Sequence, residues 1–397
     1  MGGKLNLELK IEQDWKDIVH RCFRCGYCKF TSEFSDFNCP SYKKHRFETY
    51  STGGRLWLIY GLISGEIQWS QGVANVLYAC STCGNCTKNC RFDKFNDFLV
   101  DIIEAARAEA VINGFCPEKQ KILIDCIENP IMFNPYGEQN SNNEDLKKTY
   151  DLPDTAEWVY FIGCTSNYRQ KNLRDATLRF LKKANIDFTL IDEHCCSSPL
   201  MRTGQINSVK DFINHNITQI NDAGVLKIIT SCAGCYRTLK KDWIKYGADY
   251  DFEIYHTVEL VKMLLDEGKL SFTSEYNKTV TYHDPCHLGR HMSFYEIPRE
   301  VYKSIPGLIL VEMKRNRENA WCCGAGGGLK IGYPDWSVEI SKERLDEAKS
   351  TGANIISSLC PFCRTNLSDA NEKFNMNFEV IDLIEILDSL EYEISDN

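Results

Sequence analysis

Apolar positions along the chain follow two rhythms. Up to Gly114 they recur at helical spacing: residues 55–67 and 72–79 read as helices, and Phe95, Phe98, Leu99, Ile102, Ile103 and Ala106 mark the face of a third. Gly114 and Pro117 stop that helix. From Trp158 onward, short runs rich in β-branched and aromatic residues alternate with helical stretches. Residues 158–162, 187–191 and 280–282 and the pairs Ile228-Ile229 and Ile355-Ile356 read as strands, and residues 173–184 and 337–351 as helices. An all-α region is therefore expected ahead of an α/β half. Between them, Asn134-Pro135-Tyr136-Gly137 and Asn140-Ser141-Asn142-Asn143 read as a linker, which predicts units at 1–133, 154–270 and 271–397 with residues 134–153 as the connection. The longest apolar run, Leu56 to Tyr60, is soon interrupted by Gly61, far short of a bilayer span. The start, Met1-Gly2-Gly3-Lys4, continues without a signal-peptide apolar region, so a cytoplasmic chain is expected.

Composition changes this picture in one respect. The 397 residues carry a formal charge of −9, which argues against a nucleic-acid scaffold, and the apolar and charged shares are ordinary. Cysteine, at 20 residues, is not ordinary. A long chain able to build a core has no need of a disulfide framework, so clustered thiols point to metal or redox chemistry. All but Cys116 and Cys126 fall into four groups, and those two read as buried packing cysteines.

Cys80-x2-Cys83-x2-Cys86-x3-Cys90 has the spacing of a 4Fe–4S ligand run. Two-residue gaps let three thiolates on one tight loop face one cluster, and Gly84 and Asn85 suit the turn. The fourth cysteine ligates a second cluster. Cys22-x2-Cys25-x2-Cys28 repeats the triplet, with Gly26 in its turn and Cys39-Pro40 as the distal member. By that crossover, Cys22, Cys25, Cys28 and Cys90 hold one cluster, and Cys80, Cys83, Cys86 and Cys39 the other. The ten-residue gap from Cys28 to Cys39 and Arg91 in place of proline depart from the usual run. Paired four-cysteine zinc knuckles are the competing reading, although zinc sites rarely interleave two such triplets. The region resembles the helical ferredoxin domain of succinate dehydrogenase and heterodisulfide reductase subunits.

The remaining groups form a repeat. Cys164-x30-Cys195-Cys196-x35-Cys232-x2-Cys235 is echoed by Cys286-x35-Cys322-Cys323-x36-Cys360-x2-Cys363. Ile228-Ile229-Thr230-Ser231 and Ile355-Ile356-Ser357-Ser358 precede the two CxxC pairs. A period of ~125 residues is a duplicated domain and not a solenoid. The cysteines fall at strand ends, where open α/β sheets bind ligands. Five thiols exceed the needs of a cubane or a zinc ion. A four-ligand site with a spectator and a redox CxxC pair are the simpler alternatives, but neither accounts for the doublet and the far cysteine in both copies.

The pattern resembles the CCG (cysteine-rich) domain of the heterodisulfide reductase family, on Cys322-Cys323-Gly324-Ala325-Gly326-Gly327-Gly328 and His283-Asp284-Pro285-Cys286-His287-Leu288-Gly289-Arg290. Together with the helical region, residues 15–390 are similar to the family's fused D-type subunit. The first copy departs from it at Ser197-Ser198-Pro199, where glycine often follows the doublet. The resemblance implies an α/β protein with an N-terminal all-α ferredoxin-like domain and a pseudo-twofold duplicated CCG half. It implies two noncubane 4Fe–4S clusters, one held by Cys164, Cys195, Cys196, Cys232 and Cys235, the other by Cys286, Cys322, Cys323, Cys360 and Cys363. A disulfide such as CoM-S-S-CoB is placed between them and reduced by one electron at each, with Cys196 and Cys323 at the site. A flavoprotein, hydrogenase, formate dehydrogenase or membrane cytochrome subunit is the implied electron source. Such a partner would bring the complex to a membrane.

Other residues are weaker signals. His283, His287 and His291 are spaced by four, but Pro285 breaks any helix there, so hydrogen bonding to sulfur or substrate, with His287 at the catalytic site, outweighs a tri-histidine metal site. His194 and His256 divide between that role and packing. Lys314-Arg315-Asn316-Arg317 reads as a solvated loop, with an anionic substrate or acidic partner as the alternative. Gly324 to Gly328 lack the GK[ST] of a phosphate loop and read as permitting close backbone approach to a cluster. A disulfide-reducing enzyme is thus the leading expectation. The rivals are an electron-transfer subunit serving a flavoprotein and a cluster-bearing scaffold.

Overall fold

The structure, a computed structural model, describes residues 19–92, 96–140 and 143–395. The expectations at Phe95, Ser141, Asn142 and the first residues of the chain lie outside the described residues. Two compact units divide the chain. One comprises residues up to Ile124 with Pro199–Val209 and Gly324–Ile340; the other comprises Asp125–Ser198, Lys210–Cys323 and Ser341 onward.

The first unit is helical, with Thr52–Ile63, Gln71–Tyr78 and Leu99–Ile112 as its main helices. Ser51 and Ser70 begin two of them by accepting hydrogen bonds from Gly54 N and Val73 N. The helix expected over 55–67 therefore starts earlier, at its cap, and it ends earlier, before Gly65 turns into left-handed space at φ 75°. Val19, Leu56, Ile59, Leu77, Leu99, Ile102 and Ala106 form a core against which Cys22, Cys28 and Cys90 pack. Phe98, expected in that core, is 47% exposed because it lies in a 3-10 turn ahead of the helix.

Two segments from far along the chain, Pro199–Val209 and Gly324–Ile340, complete this unit through buried polar contacts. Tyr78 Oη donates to Thr203 O at 2.9 Å, Gln120 Nε2 to Gly328 O at 3.1 Å, and Glu104 pairs with Arg202 at 2.5 Å. Both segments lie shortly after a cysteine doublet, and no periodicity in the sequence marks them as part of the helical unit.

The second unit holds two four-stranded parallel sheets. Strands β1 (Trp158–Tyr160), β2 (Phe188–Thr189), β3 (Lys227–Thr230) and β4 (Glu253–His256) order as β2-β1-β3-β4. After β5 (Leu270–Phe272), strands β6 (Thr279–His283), β7 (Ile309–Val311), β8 (Ile355–Ser358) and β9 (Glu379–Ile381) order as β7-β6-β8-β9. The two orders match. A strand β10 (Tyr392–Ile394) pairs antiparallel with β5. The central strands β1 and β8 are buried throughout, as parallel strands covered on both faces must be. Of the residues expected as a connection, 134–140 and 143–153 are described; they include the helix Glu144–Thr149 and fold onto this unit, where Asn134 is buried and the neighbouring Phe133 O accepts from Cys195 N at 2.9 Å.

Candidate functional site

In the first unit the two cysteine triplets sit on loops of the same backbone form. Arg24 and Thr82, each before the middle cysteine, have φ 53° and 50°; Gly26 and Gly84, each after it, have φ 87° and 73°. Two departures into left-handed space curl the loop so that its three sulfurs face inward, and glycine tolerates the sharper one.

Two small cavities of about 20 and 30 Å³ lie against these loops. One is lined by Cys39, Cys80, Cys83 and Cys86, the other by Cys22, Cys25 and Cys90, and Cys28 borders both. Each distal cysteine therefore lines the same pocket as cysteines of the other triplet. Cys39 precedes the first turn of the helix Pro40–His45, and Cys90 ends the helix Asn85–Asn89. Arg91, in the place usual for proline, lies over the Tyr27 ring at 5.4 Å. Burial pushes the Cys39 thiol up to about 11 and the Cys86 thiol up to about 12. A metal would have to displace those protons.

Sequence reasoning passed over two arginines beside the Cys39–Cys80 pocket. Arg55 is fully buried and donates to Val76 O, Tyr50 O, Ser41 Oγ and Ala79 O. Arg107, equally buried, donates to Leu77 O, Tyr78 O, Cys80 O, Arg202 O and Gly327 O. All these acceptors are neutral. A buried cation without a carboxylate partner is costly unless an anion lies near. An anionic cluster of four thiolates in that pocket supplies one, so the donor set and the charge balance both fit 4Fe–4S ligation. Arg55, the one charged residue of the helix Thr52–Ile63, was the signal available in the sequence; Arg107 shares its helix with Asp101, Glu104 and Glu109 and gave none.

The first five-cysteine set gathers at the carboxyl edge of the sheet β2-β1-β3-β4. Cys164 follows β1, Cys195 and Cys196 follow β2, and Cys232 and Cys235 follow β3. Their sulfurs form a continuous series: Cys164 lies beside Cys195, Cys195 beside Cys196, Cys196 3.5 Å from Cys235, and Cys235 beside Cys232. Gly163 (φ 77°) makes room, since a Cβ there would lie 2.9 Å from Cys235 Sγ. Glu193 is buried beside them and accepts from Ile162 N and Gly163 N; burial pushes its carboxyl up to about 8.

In the second set, Cys323 Sγ lies 3.2 Å from Cys363 Sγ, Cys322 hydrogen-bonds Cys323, and Cys363 meets Cys360. Cys286 stands half-buried on the turn leaving β6. The two series adjoin, because the Cys360 thiol lies near that of Cys232. Cys232 is drawn well down by Cys235 and then by Cys360, whereas Cys360 is pushed up by the same contact with Cys232. The doublets are anchored alike. The Cys196 carbonyl accepts from Trp243 Nε1 at 3.1 Å, and the Cys323 carbonyl from Ser341 Oγ and Asn366 Nδ2, each at 2.6 Å. Ser197, standing where the family often has glycine, adopts φ 72° against φ 82° at Gly324, so both loops keep the same turn.

The histidines part company. His287 sits 3.4 Å from Arg237 and packs edge-on against His291, and no single helix carries all three residues. His283, at the end of β6, is buried; Arg344 Nε donates to its Nδ1 at 3.0 Å, while Nε2 has no hydrogen-bond partner. A ring nitrogen of His283 and the sulfurs of Cys323 and Cys363 lie within 4.8 Å of one another. His194 is stacked between Phe133 and His215, with a carboxylate oxygen of Asp192 and ring nitrogens of both histidines within 4.8 Å of one another, and His256 caps a helix while contacting Leu359 O. The basic run is only partly solvated: Lys314 is exposed. Arg315 is buried over Trp321 and pairs with Glu347, and Arg317 pairs with Glu296 and Glu312. Cys116 is buried and accepts from Gln205, Cys126 is half-buried near Gly137, and neither lines a cysteine pocket.

Dicluster loops followed by paired α/β thiol sites define an iron–sulfur oxidoreductase subunit. Residues 18–93 match the 4Fe-4S dicluster domain, and residues 158–240 and 280–368 match the cysteine-rich (CCG) domain. The chain is 39% identical to the D-type subunit of the dihydromethanophenazine:CoB–CoM heterodisulfide reductase of Methanosarcina mazei, over 78% of this chain and 77% of that one. It belongs to the family of heterodisulfide reductase D-type subunits. It is also 33% identical to the B-type subunit of the fumarate reductase (CoM/CoB) of Methanothermobacter marburgensis, over 80% of this chain and 62% of that one. Similarity to the EtfAB:quinone oxidoreductase of Syntrophomonas wolfei, at 26% identity, covers 94% of this chain and 58% of that one. No helix among the described residues is long and apolar enough to cross a membrane.

Proposed function

We propose that the chain is the catalytic subunit of a disulfide reductase. One 4Fe–4S cluster is held by Cys22, Cys25, Cys28 and Cys90 and another by Cys80, Cys83, Cys86 and Cys39. Two noncubane clusters are held by Cys164, Cys195, Cys196, Cys232 and Cys235 and by Cys286, Cys322, Cys323, Cys360 and Cys363. On this reading the chain divides at 1–133, 134–153, 154–270 and 271–397, and the last two parts are CCG domains related by a pseudo-twofold axis. The observation that carries the reading is the meeting of the two five-thiol sets at Cys232 and Cys360. Two such sets side by side suit a substrate with two sulfurs.

The overall reaction, R–S–S–R′ with two electrons and two protons giving two thiols, needs its electrons one at a time, and that is what bound iron–sulfur clusters supply. The chain's own groups hold the sites in place: Trp243, Ser341 and Asn366 fix the doublet carbonyls, and Gly163 lets the CxxC turn approach Cys164. The relatives named for the CoB–CoM heterodisulfide favour a heterodisulfide as the substrate. On this reading a flavoprotein, hydrogenase, formate dehydrogenase or membrane cytochrome subunit is the electron source.

Near-complete coverage by the EtfAB:quinone oxidoreductase similarity favours a second reading, an electron-transfer subunit with chemistry elsewhere. Cys196→Ser and Cys323→Ser separate the two. As a disulfide reductase, each variant loses heterodisulfide reduction while reduced viologen still reduces the N-terminal clusters. Retention of near-full activity by either variant removes the paired-site mechanism and leaves the electron-transfer reading.

A further inference from the structure

The two thiol sets differ at the residue three positions before the first cysteine. In the second set that residue is His283, ahead of Cys286; in the first it is Phe161, ahead of Cys164, and Phe161 is fully buried. Arg344 is fully buried and anchored by Arg315 O at 2.7 Å and Glu347 at 2.8 Å. A guanidinium has only donors, so its bond to His283 Nδ1 requires a lone pair there and leaves the ring hydrogen on Nε2. That N–H is buried, lacks a protein acceptor in hydrogen-bond geometry and belongs to a ring gathered with Cys323 and Cys363. A buried donor without an acceptor is costly, and the nearby sulfurs are the available acceptors.

Resting on the ligation proposed above, we infer that His283, locked by Arg344 as the Nε2–H tautomer, is a positioning residue of the second site alone. It donates a hydrogen bond to a sulfur there, so that the second noncubane cluster is reduced more readily than the first. The physical basis is that a fixed donor stabilises the negative charge a sulfur gains on reduction. The duplication is thus chemically unequal, as suits a disulfide with two different halves.

The test is a redox titration of the full-length, cluster-loaded chain followed by electron paramagnetic resonance, with the second-site signal identified as the one lost in Cys323→Ser. His283→Phe, which copies the first set, is expected to lower that potential by a tenfold change in equilibrium constant, 59 mV for one electron, and to leave the first-site potential in place. His283→Gln, which keeps an N–H, is expected to recover part of the shift, and Arg344→Met to fall between. With iron retained, an unmoved second-site potential, an equal shift at both sites, or His283→Gln behaving like His283→Phe would overturn the inference. Loss of second-site iron in all three variants overturns it in favour of a purely structural role. Absence of iron from the ten C-terminal cysteines of the unaltered chain is a separate result, and it overturns the ligation reading itself.

Discussion

Replacing Gly327 by alanine tests whether the glycine-rich segment exists to let backbone approach a cluster loop. Gly327 has φ 64°, and a Cβ there would lie 2.7 Å from both Cys80 O and Ser81 C and 2.9 Å from Ser81 Cα. Ordinary contact begins at 3.4 Å, so the two backbones must part by about 0.7 Å (3.4 − 2.7). Left-handed backbone costs an alanine roughly 1–2 kcal/mol. Forcing an atom into a packed contact adds about 1–3 kcal/mol. Gly65→Ala is the control in the same unit: its φ is 75°, and a Cβ there meets nothing within 4 Å, so it carries only the first cost. The difference, about 1–3 kcal/mol, corresponds to roughly 5–150-fold in an opening equilibrium. The assay is anaerobic release of iron to a chelator, with the protein in its holo form. Gly327→Ala should release the iron held at the Cys39–Cys80 pocket faster than Gly65→Ala by about that ratio. Equal rates for the two variants would refute the close-approach argument.

Three further outcomes are expected. Cys116→Ser and Cys126→Ser should leave iron content unchanged, and loss of a cluster in either would reassign a ligand, with Cys39 the first to reconsider. Arg55→Gln and Arg107→Gln should lower the potential of the cluster at Cys39, Cys80, Cys83 and Cys86 more than that of its neighbour, because each removes a buried positive charge beside that pocket; equal shifts in a redox titration count against this. Glu193 keeps its proton in the fold up to about pH 8, whereas an unfolded chain releases it near 4.5. The folded state therefore binds more protons between those values, and stability falls as pH rises, by up to about 1.4 kcal/mol per unit. Glu193→Gln should flatten that slope, and parallel unfolding curves for the two proteins would show the carboxyl to be silent.

What the sequence by itself determined is local. Ligand spacing within a triplet, a doublet or a CxxC pair is limited by what a short loop can reach, so the four cysteine groups and their repeat can be read directly from residue numbers. Strand and helix rhythms mark the β-rich runs ahead of Cys164, Cys286 and the CxxC pairs for the same reason: side-chain period is a property of each segment alone. The tertiary structure decided everything that joins distant segments. It brought Cys39 beside the Cys80 triplet, set Cys232 against Cys360, and placed residues 199–209 and 324–340 in the helical unit. It also turned Phe98 outward, folded 134–140 and 143–153 onto the α/β unit and buried Arg315 of the basic run against Glu347. Arg344 is the clearest case. Nothing in its helix distinguishes it from a surface arginine, and only packing brings it to His283, 61 residues earlier in the chain. Periodicity reports which face of a segment is buried; which partner it meets there depends on how the segments pack.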